Sequence, residues 1–243
     1  MRSANLRFLS GNALKLIAAA AMLVDHVGFM FFPGVRLLRM IGRLAFPIFA
    51  YMIAEGCRYT RSRTRYLLTL AGMATVFQLV YYVVDGSLYM CIFVSFTIAC
   101  LMIYALDNLA RSIRERHGVF SVACRVITLL LSVAFAAGFC EVFTVDYGFS
   151  GTLVPVFAYL PVMFIKTDCD ICTVPMQVIS AGIPLVILAY ISGMSQWYSL
   201  LTLPLLLLYS GKRGKRNMKY FFYVFYPAHL VLLWVIDYVL QIL

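Results

Sequence analysis

Asp25 and His26 adjoin inside the apolar stretch MLVDHVGFMFF, residues 22–32, and a second histidine, His229, lies in the apolar stretch FYPAHL. An imidazole has an ordinary pKa of about 6.5, which burial lowers and a nearby carboxylate raises. An embedded histidine near an acid is therefore a neutral base at working pH, able to take a proton from a nucleophile. Asp25 poses the opposite problem, because an ionised aspartate at the centre of a membrane helix costs roughly 2.5–3.5 kcal/mol. It needs a cation, a hydrogen-bonding partner or water. Adjacent residues point about 100° apart around a helix, so contact between Asp25 and the His26 ring does not follow, and Arg43 is one candidate partner on a neighbouring segment. Two other readings stay open: polar groups that satisfy one another between helices, and a proton relay through Asp25, His26 and His229.

Four arginines, Arg58, Arg61, Arg63 and Arg65, fall in eight residues of CRYTRSRTRY. Guanidinium groups bind phosphate oxygens in a forked, charge-assisted geometry, so this cluster suits a polyanion. It equally suits anionic lipid headgroups and the setting of membrane topology. Glu55, three residues before Arg58, orients that arginine or is simply neutralised by it. The segment GRLAFPIFAYMIAEG carries Pro47, which frees the carbonyl near residue 43. Irregular backbone at membrane depth is tolerated only beside protein or a water cavity. A kink beside Arg43 is thus a wall for a pocket, and FTVDYGFSG, with Asp146 and Tyr147, completes it or else supplies Asp146 as a helix N-cap. Cys169 and Cys172 in TDCDIC lack a second CxxC pair or a neighbouring histidine. They read as reduced cysteines on a short loop, and no metal is expected.

The elements that must position these residues are membrane spans. The chain is 63% hydrophobic and 12% charged, with a mean hydropathy of +0.92, far from the soluble norm of about 45–50% apolar and about 25% charged. Apolar runs near 13–32, 44–57, 65–84, 88–106, 119–138, 148–165, 173–192, 195–210 and 219–241 predict an all-α, polytopic membrane bundle of about nine helices (eight to ten), forming one domain over residues 1–243. Charged VRLLRMIGR follows the first run, which makes it a retained helix rather than a cleaved signal. Arginines and lysines concentrate in the second, fourth and eighth loops, placing those loops and the N-terminus in the cytoplasm. The charge of +10 is dispersed among loops and so is a topology signal; no nucleic-acid partner is expected. Arg36, Arg39 and Arg43 break the rule by falling in the first, outer loop, so they tuck into the protein or perform a task. His26 is about 20 Å along the first helix and His229 about 15 Å along the last. Both helices start on the same side, and the two rings match in height.

Four ordered segments, LKLIAAAAMLVDHVG, LRMIGRLAFPIFAYMIAEGCRYTRSRTRYLL, DYGFSGTL and YFFYVFYPAHLVLL, together resemble the TraX family, whose namesake acetylates the amino terminus of F pilin in the bacterial inner membrane. More loosely they resemble the transmembrane acyltransferase superfamily. The resemblance implies acyl transfer, with acetyl-CoA as donor entering from the cytoplasm. It implies His26 as base with Asp25 and His229 beside it. Arg58, Arg61, Arg63 and Arg65 then meet the phosphates of coenzyme A, while Arg43, Glu55, Asp146, Tyr147 and Tyr226 hold the acceptor. The acceptor it suggests is the amino terminus of a pilin-like or other small secreted peptide; O-acylation of a glycan or lipid headgroup needs the same base. A proton-coupled transporter is the alternative from another class, and the lack of an internal sequence repeat favours the enzyme.

Overall fold

The computed structural model describes residues 7–165, 170–216 and 218–242. Its helices are α1 (Gly11–Met30), α2 (Arg36–Gly42), α3 (Ala45–Tyr59), α4 (Arg63–Asp85), α5 (Ile92–Arg114), α6 (Val119–Val142), α7 (Gly148–Phe164) and α8 (Asp170–Ser192), then a 3₁₀ helix (Met194–Leu201), α9 (Thr202–Leu207) and α10 (Lys219–Ile242). Among the described residues no strand forms beyond two isolated bridges, Leu9 with Tyr209 and Met90 with Val145. Seven segments are long and apolar enough to cross a membrane, and α7 is a shorter apolar helix. The predicted all-helical membrane bundle is therefore what this chain builds.

Local sequence sets the helix ends. Ser10 Oγ accepts the Ala13 N–H at 3.2 Å and Ser62 Oγ the Arg65 N–H at 3.4 Å, capping donors that the first turns of α1 and α4 leave unpaired. Gly86, at φ 61°, stops α4 in the left-handed region that costs glycine least.

Two expectations change. The second span does not begin near residue 44: Arg36–Tyr59 forms one crossing, broken at Arg43 and Leu44 between α2 and α3. Pro47 sits in the first turn of α3, where a missing N–H costs nothing. Its ring would clash with the carbonyl of residue 43, so α2 cannot run on into α3. Arg36, Arg39 and Arg43 therefore belong to this span rather than to a loop. The run near 195–210 is likewise not a regular α-helix but the 3₁₀ helix followed by α9. Pro204 in the first turn of α9 plays the same part there. Because a 3₁₀ helix rises about 2.0 Å per residue, this composite still covers about 25 Å. It runs from the end of α8 to Tyr209, beside Leu9 at the start of α1.

Helix α3 is the centre of the bundle, buried at nearly every position from Ala45 to Cys57 and packed against α1, α5, α7 and α8. Helix α6 is the opposite case: only Ala136 is buried, and Leu130, Leu131 and Phe135 face outward. Such an apolar, exposed helix is stable in lipid and not in water. Alternation of the crossings gathers Arg61, Arg65, Arg111, Arg114, Arg213 and Lys215 at the end of the molecule that holds the starts of α1, α4 and α10. We call this end the basic face.

Candidate active site

The match in height between the two histidines becomes contact. Helices α1 and α10 pack together, and the His26 and His229 rings lie 5.1 Å apart, edge to face. His26 Nδ1 is 2.8 Å from the Met22 carbonyl and His229 Nδ1 2.9 Å from the Phe225 carbonyl, each one turn back on its own helix. A carbonyl only accepts, so each Nδ1 carries the proton and each neutral ring keeps its lone pair on Nε2. The His229 Nε2 lone pair faces His26 Nδ1 at 3.4 Å, which leaves the His26 Nε2 lone pair for a substrate. His229 is buried at 4% exposure, whereas His26 lines a cavity. The geometry separates the two rings: His26 has its open lone pair beside a cavity, and His229 packs behind it.

Asp25 pairs with Arg39, not with Arg43, at 2.9 Å between Oδ2 and Nη1. The physical reason is the break after Gly42: α2 folds back along α1 and brings Arg39 level with Asp25. A Cβ on Gly42 would lie 2.1 Å from Asp25 Oδ1, so glycine is what lets the helices approach this closely. Oδ1 itself is buried without a hydrogen-bond partner, and so is Arg43 Nε. Asp146 does not cap α7, whose N-cap is Tyr147. Instead Asp146 Oδ1 accepts the Tyr89 hydroxyl at 2.9 Å, and its backbone is tied to Ser95 and Met90. Burial pushes its carboxyl up to about 6, against the opposing pull of the Tyr89 hydrogen bond and Arg43. Tyr147, at φ 60°, stacks on Phe46 with centroids 3.9 Å apart.

Two cavities converge on these residues. One, of 570 Å³, is lined by His26, Asp25, Arg39, Arg43, Tyr89, Asp146 and Tyr147 among others. The second, of 640 Å³, runs inward from Gly11, Thr60 and Arg213 on the basic face. Both volumes fall in the ordinary range for ligand sites. Met22, Phe49 and Tyr226 line both. The cavities therefore meet one helical turn from His26, and Tyr226, edge-on to His229 at 5.7 Å, stands at the junction.

The arginine-rich loop lies beside the second cavity rather than in its wall. Arg63 pairs with Asp107, Arg58 lies 3.7 Å from Glu55, and Arg61 and Arg65 are exposed; the cationic side chains lining the cavity are Lys15 and Arg213. Glu55 does line this cavity and not the one that holds His26, Arg43 and Asp146. It is 5% exposed and accepts from the Tyr209 hydroxyl at 3.0 Å and Gln177 Nε2 at 3.2 Å. Tyr51 in turn donates to Gln177 Oε1 at 3.0 Å, so α3 and α8 are joined by a buried polar chain. The sequence singled out Arg39 only as one of three anomalous arginines and did not point to Tyr89, Lys15 or Arg213 as lining these cavities. The signals were present in the misplaced arginines of the first loop and in a lysine inside a span. Among the described residues no cluster of three metal-ligating side chains occurs; the Cys169 of TDCDIC lies outside them.

Fold and site together define a polytopic helical membrane protein with a histidine pair, one ring buried and one lining a cavity, close to where two cavities meet. The TraX family, described as TraX protein, matches residues 10–237, and the chain belongs to that family. It is 29% identical over 249 residues to a probable fimbrial assembly protein FimC, serogroup H1, of Dichelobacter nodosus, covering 95% of this chain and 96% of that one. A shorter similarity, 34% over 55 residues and about a fifth of each chain, joins it to the uncharacterized protein RP591 of Rickettsia prowazekii (strain Madrid E). No solved structure matches.

Proposed function

We propose that this protein is a membrane acyltransferase that moves an acetyl group from acetyl-CoA to the amino terminus of a pilin-like or other small secreted peptide. The observation that carries the reading is the meeting of two cavities beside His26 Nε2, one reached from the basic face and one holding Asp25, Arg43 and Asp146. Two substrates can then approach the base from different sides without passing each other. The basic face is assigned to the cytoplasm, where acetyl-CoA is found, with the N-terminus inside, in the bacterial inner membrane. Lys15 and Arg213 meet the donor's phosphates and the pantetheine arm follows the aromatic wall of Phe93, Phe96 and Tyr226. The acceptor amine gives a proton to His26 Nε2 and attacks the thioester carbonyl. A carbon–nitrogen bond forms, the carbon–sulfur bond breaks, and the departing thiolate takes a proton back from His26. Tyr226, at the junction of the two cavities, supplies a hydrogen-bond donor near the developing oxyanion. The family membership and the fimbrial assembly relative support a pilus-related acceptor.

Detergent-purified protein incubated with radiolabelled acetyl-CoA and a membrane extract tests this reading. Label is expected on a peptide amino terminus. Label on a glycan or lipid headgroup would replace the acceptor, and absence of any transfer with all acceptor fractions would overturn acyl transfer.

A further inference from the structure

The acceptor-side cavity holds charges of both signs that the scaffold keeps apart. Asp146 is directed to Tyr89 rather than to Arg43: its side chain accepts from the Tyr89 hydroxyl, its carbonyl accepts from the Ser95 hydroxyl at 2.8 Å, and its N–H donates to the Met90 carbonyl at 2.9 Å. Arg43 is fixed at the break between α2 and α3, reaches Tyr147, and keeps its Nε buried without a hydrogen-bond partner. Among the described residues Arg43 and Asp146 form no ion pair, although both line one space of 570 Å³. The carboxylate–guanidinium pair nearest them, Asp25 with Arg39, has closed to 2.9 Å, yet it leaves Asp25 Oδ1 buried and unpartnered. Unpaired charge and unsatisfied polar atoms at such depth are costly. A site that holds them apart in a cavity is matched to a ligand that brings the opposite charge to each.

From this separation we infer that the acceptor is dipolar: a peptide whose free amino terminus lies between Asp25 and Asp146 and whose nearby acidic side chain is held by Arg43. The inference rests on the acyl-transfer reading and adds to it a specificity determinant, an anionic group close to the amine that is acylated. The ammonium is held beside the two carboxylates and loses its extra proton to water; the neutral amine that remains gives one proton to His26 Nε2 as it attacks. Arg43 meanwhile fixes the peptide's register by holding the carboxylate in forked geometry.

The test uses detergent-purified full-length protein and tetrapeptide amides with a free amino terminus. Each carries one glutamate at its second, third or fourth position and is compared with the glutamine counterpart by calorimetry in the absence of donor. At least one glutamate peptide is expected to bind about tenfold tighter than its glutamine partner. Arg43→Gln should erase that difference and Arg43→Lys should keep part of it, with coenzyme A affinity unchanged in both as the check on folding. Capping the peptide's amino terminus should lose the contribution of Asp146, so that Asp146→Asn weakens only the uncapped peptide. Equal binding of glutamate and glutamine peptides by the wild type overturns the inference, as does a preference that survives Arg43→Gln. If Arg43→Gln does not fold, the wild-type comparison and Arg43→Lys decide alone. Discrimination without acetyl transfer would sink the acyl-transfer reading only, whereas acetyl transfer at equal rates to both peptides would sink only the dipolar acceptor.

Discussion

A histidine can do two jobs in a membrane helix, and the direction of its protons tells them apart. Both Nδ1 atoms face carbonyls of their own helices, so the chain of contacts Phe225–His229–His26 ends on one open lone pair, His26 Nε2. The prediction at this scale follows. His26→Ala should lower turnover by roughly 10²–10⁴-fold with coenzyme A binding intact, the usual contribution of a positioned base. His26→Gln should be nearly as poor, because an amide donates and accepts hydrogen bonds but does not take up the proton. His229→Gln should be milder, since an amide can still accept from His26 Nδ1–H. Steady-state rates with purified variants check this; a fully active, folded His26→Gln protein would remove His26 from the mechanism.

At the scale of elements, the site depends on α2 folding back along α1. Glycine makes this possible at two points: a Cβ on Gly28 would lie 2.6 Å from Leu38 Cβ, and one on Gly42 would meet Asp25 atoms at 2.1–2.4 Å. Neither neighbour is the far end of a long flexible chain, so relief requires the helices to separate. Gly42→Ala is therefore expected to destabilise the protein by about 1–3 kcal/mol, the usual cost of overpacking. Because the displaced group is Asp25, the Arg39 ion pair should loosen as well, and activity should fall by more than stability alone explains. Thermal unfolding and turnover of Gly42→Ala, compared with Gly72→Ala in open space on α4, measure the two effects. Equal behaviour of the two variants would show that the close approach of α1 and α2 does not matter.

For the whole molecule, the proposed function raises the question of which cations would receive the coenzyme A phosphates. Arg61 and Arg65 dominate the sequence of the second loop, but they are exposed, and exposed charges are screened by salt. Lys15 lies inside the cavity with the Phe222 ring 5.9 Å from its Nζ and, among the described residues, no ion pair. Arg213, exposed like the loop arginines, differs from them in lining the same cavity, which it reaches from the segment between α9 and α10. Combining Lys15→Met with Arg213→Gln should weaken coenzyme A binding by roughly 10–100-fold, the scale of one or two charge-assisted hydrogen bonds. Arg61→Gln with Arg65→Gln should change it about twofold or less. Calorimetry on the two double variants decides, and the reverse order would return the donor to the arginine-rich loop.

The sequence by itself determined the class of this protein, because hydropathy is a property of composition and a bilayer leaves a chain of this kind little but helices to form. It also determined the depth of both histidines, since residue count times helical rise sets height. The break before Pro47 was legible for the same reason: a proline ring acts on its own neighbours. What only the tertiary structure decided are relations between elements. That Asp25 meets Arg39 and not Arg43 depends on the angle at which α2 returns along α1. The cations of the cavity that opens on the basic face, Lys15 and Arg213, lie about two hundred residues apart, a distance in sequence that no local pattern spans. The contact of His26 with His229 has the same origin: height follows from each helix alone, but adjacency follows from packing among all of them, and packing is settled by side-chain shapes that meet only in the folded bundle.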